Sequence, residues 1–315
     1  MEVSFMNRKP RIVVFGSLNF DYVMLADQLP RKGETIIGNK FGTFIGGKGA
    51  NQAVQAARLG AETYMIGRIG KDNMGDQVLK SLEDSGVITK FIKRDPDNGT
   101  GTASVMVDKE GNNYLMITQD ANGACRKEDL DEALEVIISA DVFITQLETT
   151  NPLAEYALTL ARNNGIKTLL NPAPAISVPE SIFKLADVIT PNETEAELHT
   201  GIMKTEDLQG WCKEVAHKFS EYGANTLVMT LGKNGAFLAD VDHCIIVPTY
   251  TINAVDTTAA GDAFNAAMAV GLAEGMTLLE AIKFGNGAGA FAASREGAQS
   301  SLATRKELEQ FMKER

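Results

Sequence analysis

The chain has 315 residues, 44% of them hydrophobic, and a formal net charge of −11. That length and apolar content can fill one large core, so residues 1–315 are expected to form a single domain with a small appendage. The acidic balance argues against a nucleic-acid partner, because a phosphate backbone needs a basic face.

The three cysteines, Cys125, Cys212 and Cys244, show no metal-like spacing and read as reduced thiols. His199, His217 and His243 lie too far apart in sequence to suggest a zinc site or a histidine-based triad, which leaves proton transfer to a carboxylate.

In chain order, the basic stretch Met1 to Arg11 leads into the short apolar run Ile12-Val13-Val14-Phe15, which reads as a buried strand rather than a signal peptide. No window approaches ~18 uncharged apolar residues, so no membrane span and a cytoplasmic location are expected. The strand ends in Gly16-Ser17-Leu18-Asn19, without the three glycines of a dinucleotide fingerprint.

Phe41 to Ala53 combines a strand-like lead, the turn Gly46-Gly47-Lys48-Gly49 and a helix running to Leu59-Gly60. It is not a phosphate-binding P-loop, since Lys48 is followed by Gly49 rather than Ser or Thr. It is a loop whose backbone can approach a small polar ligand, with Lys48 and Asn51 as donors.

Further on, short apolar runs alternate with amphipathic ones. Asp141–Leu147, Ile166–Asn171, Asp187–Thr190 and Asn225–Leu231 read as buried parallel strands. Lys127–Ser139, Pro152–Asn163 and Glu206–Ser220 have helical spacing. The alternation predicts an α/β fold with a mostly parallel central sheet and helices on both faces. Ligands in such sheets sit at the carboxyl ends of the strands, where Asn19, Glu148, Asn171, Asn192 and Gly232 are expected. Residues of about 34–45 and 100–118 break the alternation with strand character around the turn Lys109-Glu110-Gly111-Asn112-Asn113.

The most telling stretch is Asn253 to Phe264, where small residues end in an aspartate at the mouth of an apolar helix from Ala260 to Gly275. Uncovered N–H groups and a positive dipole end make such a helix start an anion site. Asp262 inside it makes sense as a base that deprotonates a hydroxyl while the amides hold the phosphoryl group under attack.

Together these segments resemble the two signatures of the ribokinase, or PfkB, family of carbohydrate kinases. Further matches are Asn19-Phe20-Asp21, Gln146-Leu147-Glu148, Asn171-Pro172-Ala173-Pro174, Thr190-Pro191-Asn192-Glu193-Thr194-Glu195, Thr230-Leu231-Gly232-Lys233-Asn234-Gly235 and Arg295-Glu296-Gly297-Ala298-Gln299-Ser300-Ser301. The resemblance implies a ribokinase-like fold in which the 34–45 and 100–118 segments form a small β-lid that excludes water and carries a homodimer contact.

It also implies roles. Asn19, Asp21, Gly47, Lys48, Asn51 and Glu148 would bind a sugar. Asp262 would be the catalytic base, with Ala259, Ala260 and Gly261 as the anion hole; the family more often has Gly where Ala259 stands. Asn192, Thr230, Leu231, Gly232, Lys233, Asn234, Gly235, Gly261 and Asn286 would contact ATP. Glu195, with Asn192, would organise Mg²⁺ largely through water. Asp256, Thr258, Ala292, Arg295, Gly297 and Ser301 fall where the family surrounds K⁺.

The implied activity is ATP-dependent phosphorylation of D-ribose at O5 to give ribose 5-phosphate. A kinase of 2-deoxyribose, another sugar or a nucleoside is the nearest rival. A non-catalytic sugar-binding regulator and a nicotinamide-dependent dehydrogenase are rivals of other classes.

Overall fold

A computed structural model describes residues 8–110 and 112–315. Residues 1–7 of the stretch that leads into the first strand, and Gly111 in the turn expected between two strands, lie outside the described residues.

The chain begins with β1 (Arg11–Phe15), β2 (Asn19–Leu25) and β3 (Lys40–Gly46), followed by α1 (Lys48–Arg58). Next come β4 (Glu62–Gly70), α2 (Asn73–Asp84), β5 (Ile88–Asp95), β6 (Gly101–Val107) and β7 (Asn113–Thr118). A one-turn segment, Asp120–Ala124, leads to α3 (Lys127–Asp131), α4 (Leu134–Ile137) and β8 (Val142–Thr145). Then follow α5 (Asn151–Asn163), β9 (Lys167–Leu170), β10 (Val188–Ile189), α6 (Glu193–Thr200), α7 (Leu208–Glu221) and β11 (Leu227–Thr230). The hairpin β12 (Ala236–Ala239) and β13 (Cys244–Val247) precedes α8 (Ala260–Ala273), α9 (Leu278–Ala293) and α10 (Arg305–Lys313).

Nine strands form the large sheet in the order β13-β12-β11-β10-β9-β8-β1-β4-β5. Pairing is parallel from β11 to β5 and antiparallel only across the β11-β12-β13 edge. The period of two along β1 explains the layers. Ile12 and Val14 point into the core shared with α1, α8 and α9, whereas Val13 and Phe15 join Leu130, Ile137, Leu153 and Ala157 on the opposite face. A strand buried on both sides reads as a continuous apolar run, as β1 does.

Four strands form a separate small sheet in the order β3-β2-β6-β7. Here the structure differs from the expectation in two ways. Residues 34–39 are not in a strand, and the first segment pairs only over Lys40–Gly46. Asn19-Phe20-Asp21, read as a ligand motif, also begins β2, an inner strand of this sheet flanked by β3 and β6. Leaving β1 at Gly16, the chain crosses directly from one sheet to the other. The alternation of β2 then sets Asn19, Asp21, Val23 and Leu25 on the side facing the cleft. Phe20 is buried on the other side, where the Tyr22 hydroxyl donates to Met74 Sδ of α2 at 3.0 Å.

The helix expected over 127–139 is broken into α3 and α4. At Ala133 the ladder tightens, its N–H reaching Leu130 O at 3.1 Å, three residues back.

Candidate active site

A cleft of about 920 Å³ opens between the small sheet and the carboxyl ends of the large-sheet strands. It is lined by Asn19, Asp21, Gly47, Lys48, Asn51, Glu148, Asn192, Glu195 and Thr230, and by the segment Ala254–Ala259 with Gly261 and Asp262.

Several local features hold the floor. Gly47 has φ +87°, and a Cβ there would stand 2.8 Å from both Asn19 N and Ser17 O, so only glycine fits where α1 begins. A Cβ at Gly46 would meet Asp21 Oδ2 at 2.1 Å. Glu148 accepts from the Ser17 hydroxyl and, at 3.0 Å, from Lys48 N. Asn122 accepts from Leu18 N at 2.9 Å and donates to Asn19 Oδ1 at 2.7 Å, leaving the Asn19 NH₂ for the cleft.

Asp262 sits in the first turn of α8, 7% exposed, with Asn51 Nδ2 donating to Oδ2 at 2.9 Å and Gln52 Nε2 to Oδ1 at 3.0 Å. Burial pushes its carboxyl up, against the pull of Lys48, Asn51 and Gln52 toward the ionised form. Lys48 is in turn held above the usual lysine range: burial works against its charge, but Asp262, Glu148 and Glu195 outweigh it. Burial, then Glu148, raises Asp21 to about 7. Glu195 is likewise raised to about 7 by burial, its bond to Asn192 N only partly offsetting this. A buried carboxyl short of positive charge is a fitting neighbour for a cation or for sugar hydroxyls.

Of the three N–H groups expected to form an anion hole, that of Ala260 is already engaged. It donates to Thr257 O at 3.2 Å, whereas among the described residues nothing accepts from the N–H groups of Ala259, Gly261 and Asp262. Ala259 has φ +59°, a left-handed conformation that favours glycine. It starts the helix with no side-chain cap. A Cβ on Gly261 would meet nothing within 4 Å, because that side faces the open cleft.

The remaining expected residues fall into two groups. Asn192 and Glu195 cap α6 reciprocally, Asn192 N to Glu195 Oε2 at 2.8 Å and Glu195 N to Asn192 Oδ1 at 2.9 Å. Gly232 to Gly235 and Asn286 do not line the cleft, and Gly235 and Asn286 converge on Val247–Thr249. The Asn286 NH₂ donates to Val247 O and Pro248 O at 3.1 Å, and Gly235 (φ +91°) lies against Val247 O. The Leu231 side chain is buried in the core, which leaves only its backbone for a ligand.

Of the residues expected around K⁺, Asp256, Thr258 and Gly297 meet. Asp256 accepts from Thr258 N at 2.9 Å, from Thr258 Oγ1 at 2.6 Å and from Gly297 N at 2.9 Å. Ala292, Arg295 and Ser301 lie at the end of α9 and beyond, away from the cleft lining. Ala292 O accepts from Arg295 N at 3.0 Å, the Arg295 guanidinium stacks 3.4 Å over Phe291, and Ser301 Oγ donates to Ala298 O at 2.7 Å.

Gln52 and Asn122 were not singled out from the sequence, and Gln146 entered only as part of the Gln146-Leu147-Glu148 match, with no role of its own. Their only signal is a carboxamide inside an otherwise apolar or small-residue run.

A model of the pfkB carbohydrate kinase family matches residues 9–305. The chain is 38% identical over 301 residues to the ribokinase of Haemophilus influenzae, covering 96% of this chain and 98% of that one. It is 33% identical over 301 residues to the deoxyribokinase of Salmonella typhi, covering 95% and 97%. The solved ribokinase of Arabidopsis thaliana, complexed with ribose and ATP, superposes with a TM-score of 0.91 at 30% identity over 97% of this chain and 99% of that one. With the family model spanning nearly the whole chain and both signature loops meeting in one cleft, the chain belongs to the pfkB family of carbohydrate kinases.

Proposed function

We propose that this protein transfers the γ-phosphoryl group of ATP to O5 of D-ribose, giving ribose 5-phosphate. The observation that carries the reading is Asp262, a buried carboxylate in the same helix turn as three unpaired N–H groups, with hydroxyl-binding side chains across the cleft. Asp262 takes the proton of the attacking hydroxyl, and the N–H groups of Ala259, Gly261 and Asp262 hold the transferring phosphoryl charge. Asn19 donates, while Asp21 and Glu148 accept, which together match a polyol. The ribokinase relatives and the ribose–ATP complex of the Arabidopsis protein support the sugar and the nucleotide.

ATP would lie along the carboxyl ends of β10 and β11, its phosphates toward Asn192 and Lys48 and its base toward the Gly232–Gly235 turn and Asn286. Mg²⁺ travels with those phosphates and keeps most of its water, so the single buried carboxylate of Glu195 suffices for it. K⁺ binding at the Asp256–Gly297 junction, a homodimer through the small sheet and a cytoplasmic location belong to the same reading. The free thiols of Cys125, Cys212 and Cys244 support a reducing compartment.

The test is ADP release over a panel of pentoses, hexoses and nucleosides. Ribose should give the highest kcat/KM and 2-deoxyribose a lower one, because a site that pairs each hydroxyl leaves a buried group unsatisfied when one is missing. Equal or reversed values would move the substrate to 2-deoxyribose.

A further inference from the structure

Behind Asp262 lies a chain of carboxamides, none of which titrates. The Thr190 carbonyl accepts from Asn171 Nδ2 at 3.0 Å, which turns Asn171 Oδ1 toward Gln52. Gln52 Nε2 donates to that Oδ1 at 3.1 Å and to Asp262 Oδ1 at 3.0 Å. Gln52 Oε1 accepts from Gln146 Nε2 at 2.5 Å. Gln52 and Gln146 are fully buried, and neither lines the cleft.

Asn171 and Gln52 each have one permitted orientation, and Gln146, whose Oε1 has no partner among the described residues, takes its direction from Gln52. Turning the Gln52 amide over would set its oxygen against two other acceptors, Asn171 Oδ1 and Asp262 Oδ1, and its NH₂ against another NH₂. The direction is fixed at its origin by a backbone carbonyl, which cannot flip.

We infer that Gln52, oriented by Asn171 and held by Gln146, is a positioning residue that pins Asp262 Oδ1 and, with Asn51 on Oδ2, fixes the plane of the carboxylate that takes the proton. The inference rests on Asp262 being the base. The charged groups facing Asp262 are Lys48 on α1, Glu148 after β8 and Glu195 on α6. Of these Lys48 favours the carboxylate and the two glutamates oppose it, so in a buried site the Gln52 donor supports ionisation directly.

The test uses Gln52→Leu, with the pH dependence of kcat/KM as the readout. Losing a hydrogen bond to a charged group should lower kcat roughly 10- to 100-fold. The neutral acid is then favoured, so the acid limb that belongs to Asp262 should move up by about one pH unit. KM for ATP should change less than about twofold, since no nucleotide contact is touched. Asp21 and Glu195, each raised to about 7, contribute limbs of their own, but neither touches Gln52, so those limbs should stay in place.

In an Asp262→Asn background, Gln52→Leu should cause no further loss, whereas a merely structural role would multiply the two effects. Should Gln52→Leu not fold, Gln146→Leu removes the donor that holds Gln52 and should give the same shift at smaller size. A folded Gln52→Leu with the wild-type acid limb, or losses that multiply in the double variant, would overturn the relay. Full turnover in Asp262→Asn would instead overturn the base assignment on which it depends.

Discussion

At Gly261 stability and chemistry make opposite demands. The residue lies inside a helix, where alanine is favoured over glycine by up to about 1 kcal/mol. Nothing of the protein would touch the added methyl. What it would meet is a phosphoryl group approaching the unpaired N–H groups. Gly261→Ala should therefore melt at or above the wild-type temperature while its kcat falls at least about tenfold, the order of losing one oxyanion-type donor. Unchanged turnover in the folded variant would remove the phosphate from this turn.

Asp21 shows the same tension in its titration. Its carboxyl is raised to about 7 by burial and by Glu148, well above the usual carboxylate range. A raised acid stabilises the fold below its unfolded value near 4, and that contribution is lost as pH rises toward 7. The free protein should thus carry an uncompensated buried charge at pH 8 and none at pH 5. Asp21→Asn should raise the melting temperature by several degrees at pH 8 and clearly less at pH 5, while sugar KM increases. An equal shift at both values would mean that Asp21 is not the group titrating.

On the scale of elements, the loop before α8 is braced from one side only. Asp256 ties the 256–258 turn to Gly297, beyond the end of α9, so the peptide planes of the anion hole depend on how these two segments lie together. A monovalent cation bound at that junction would act on catalysis without touching substrate. At fixed ionic strength, exchanging Na⁺ for K⁺ should raise turnover several-fold, and Asp256→Ala should blunt the response. Indifference to the exchange would rule out the cation.

The elements also show what was legible beforehand and what was not. Parallel strands were readable because burial on both faces leaves unbroken runs such as Ile12 to Phe15. The start of α8 was readable because small residues and an aspartate before an apolar helix serve few structural purposes. The double life of Asn19–Leu25 was not, since nothing in its own seven residues says that the chain leaves one sheet for another after Gly16. The Ala260 N–H was miscounted among the free donors because its engagement with Thr257 O follows from backbone angles, above all the positive φ of Ala259. The Gln146–Gln52–Asp262 chain joins residues 94 and 210 positions apart, a separation that no local pattern spans.

For the molecule as a whole, the small sheet bears on assembly. Its cleft-facing row runs from polar Asn19 and Asp21 to apolar Val23, Leu25, Val105, Leu115 and Ile117, and Leu115 remains 59% exposed. An apolar row that continues beyond the polar Asn19 and Asp21 fits a second copy of the chain. Sedimentation equilibrium should give a dimer, and Leu115→Asp should shift it to monomer; a monomeric wild-type chain would discard the dimer.

The account as a whole stands on phosphoryl transfer from ATP to ribose with Asp262 as base. The most direct measurement follows ribose and ATP with the wild-type chain and with Asp262→Asn by phosphorus NMR. The expected result is ribose 5-phosphate and ADP in equal amounts with wild type, and turnover lower by roughly 10² to 10⁴ in the folded variant, the usual worth of a positioned general base. Phosphorylation of ribose at comparable rates by both proteins, or no phosphorylated ribose from either, would contradict it.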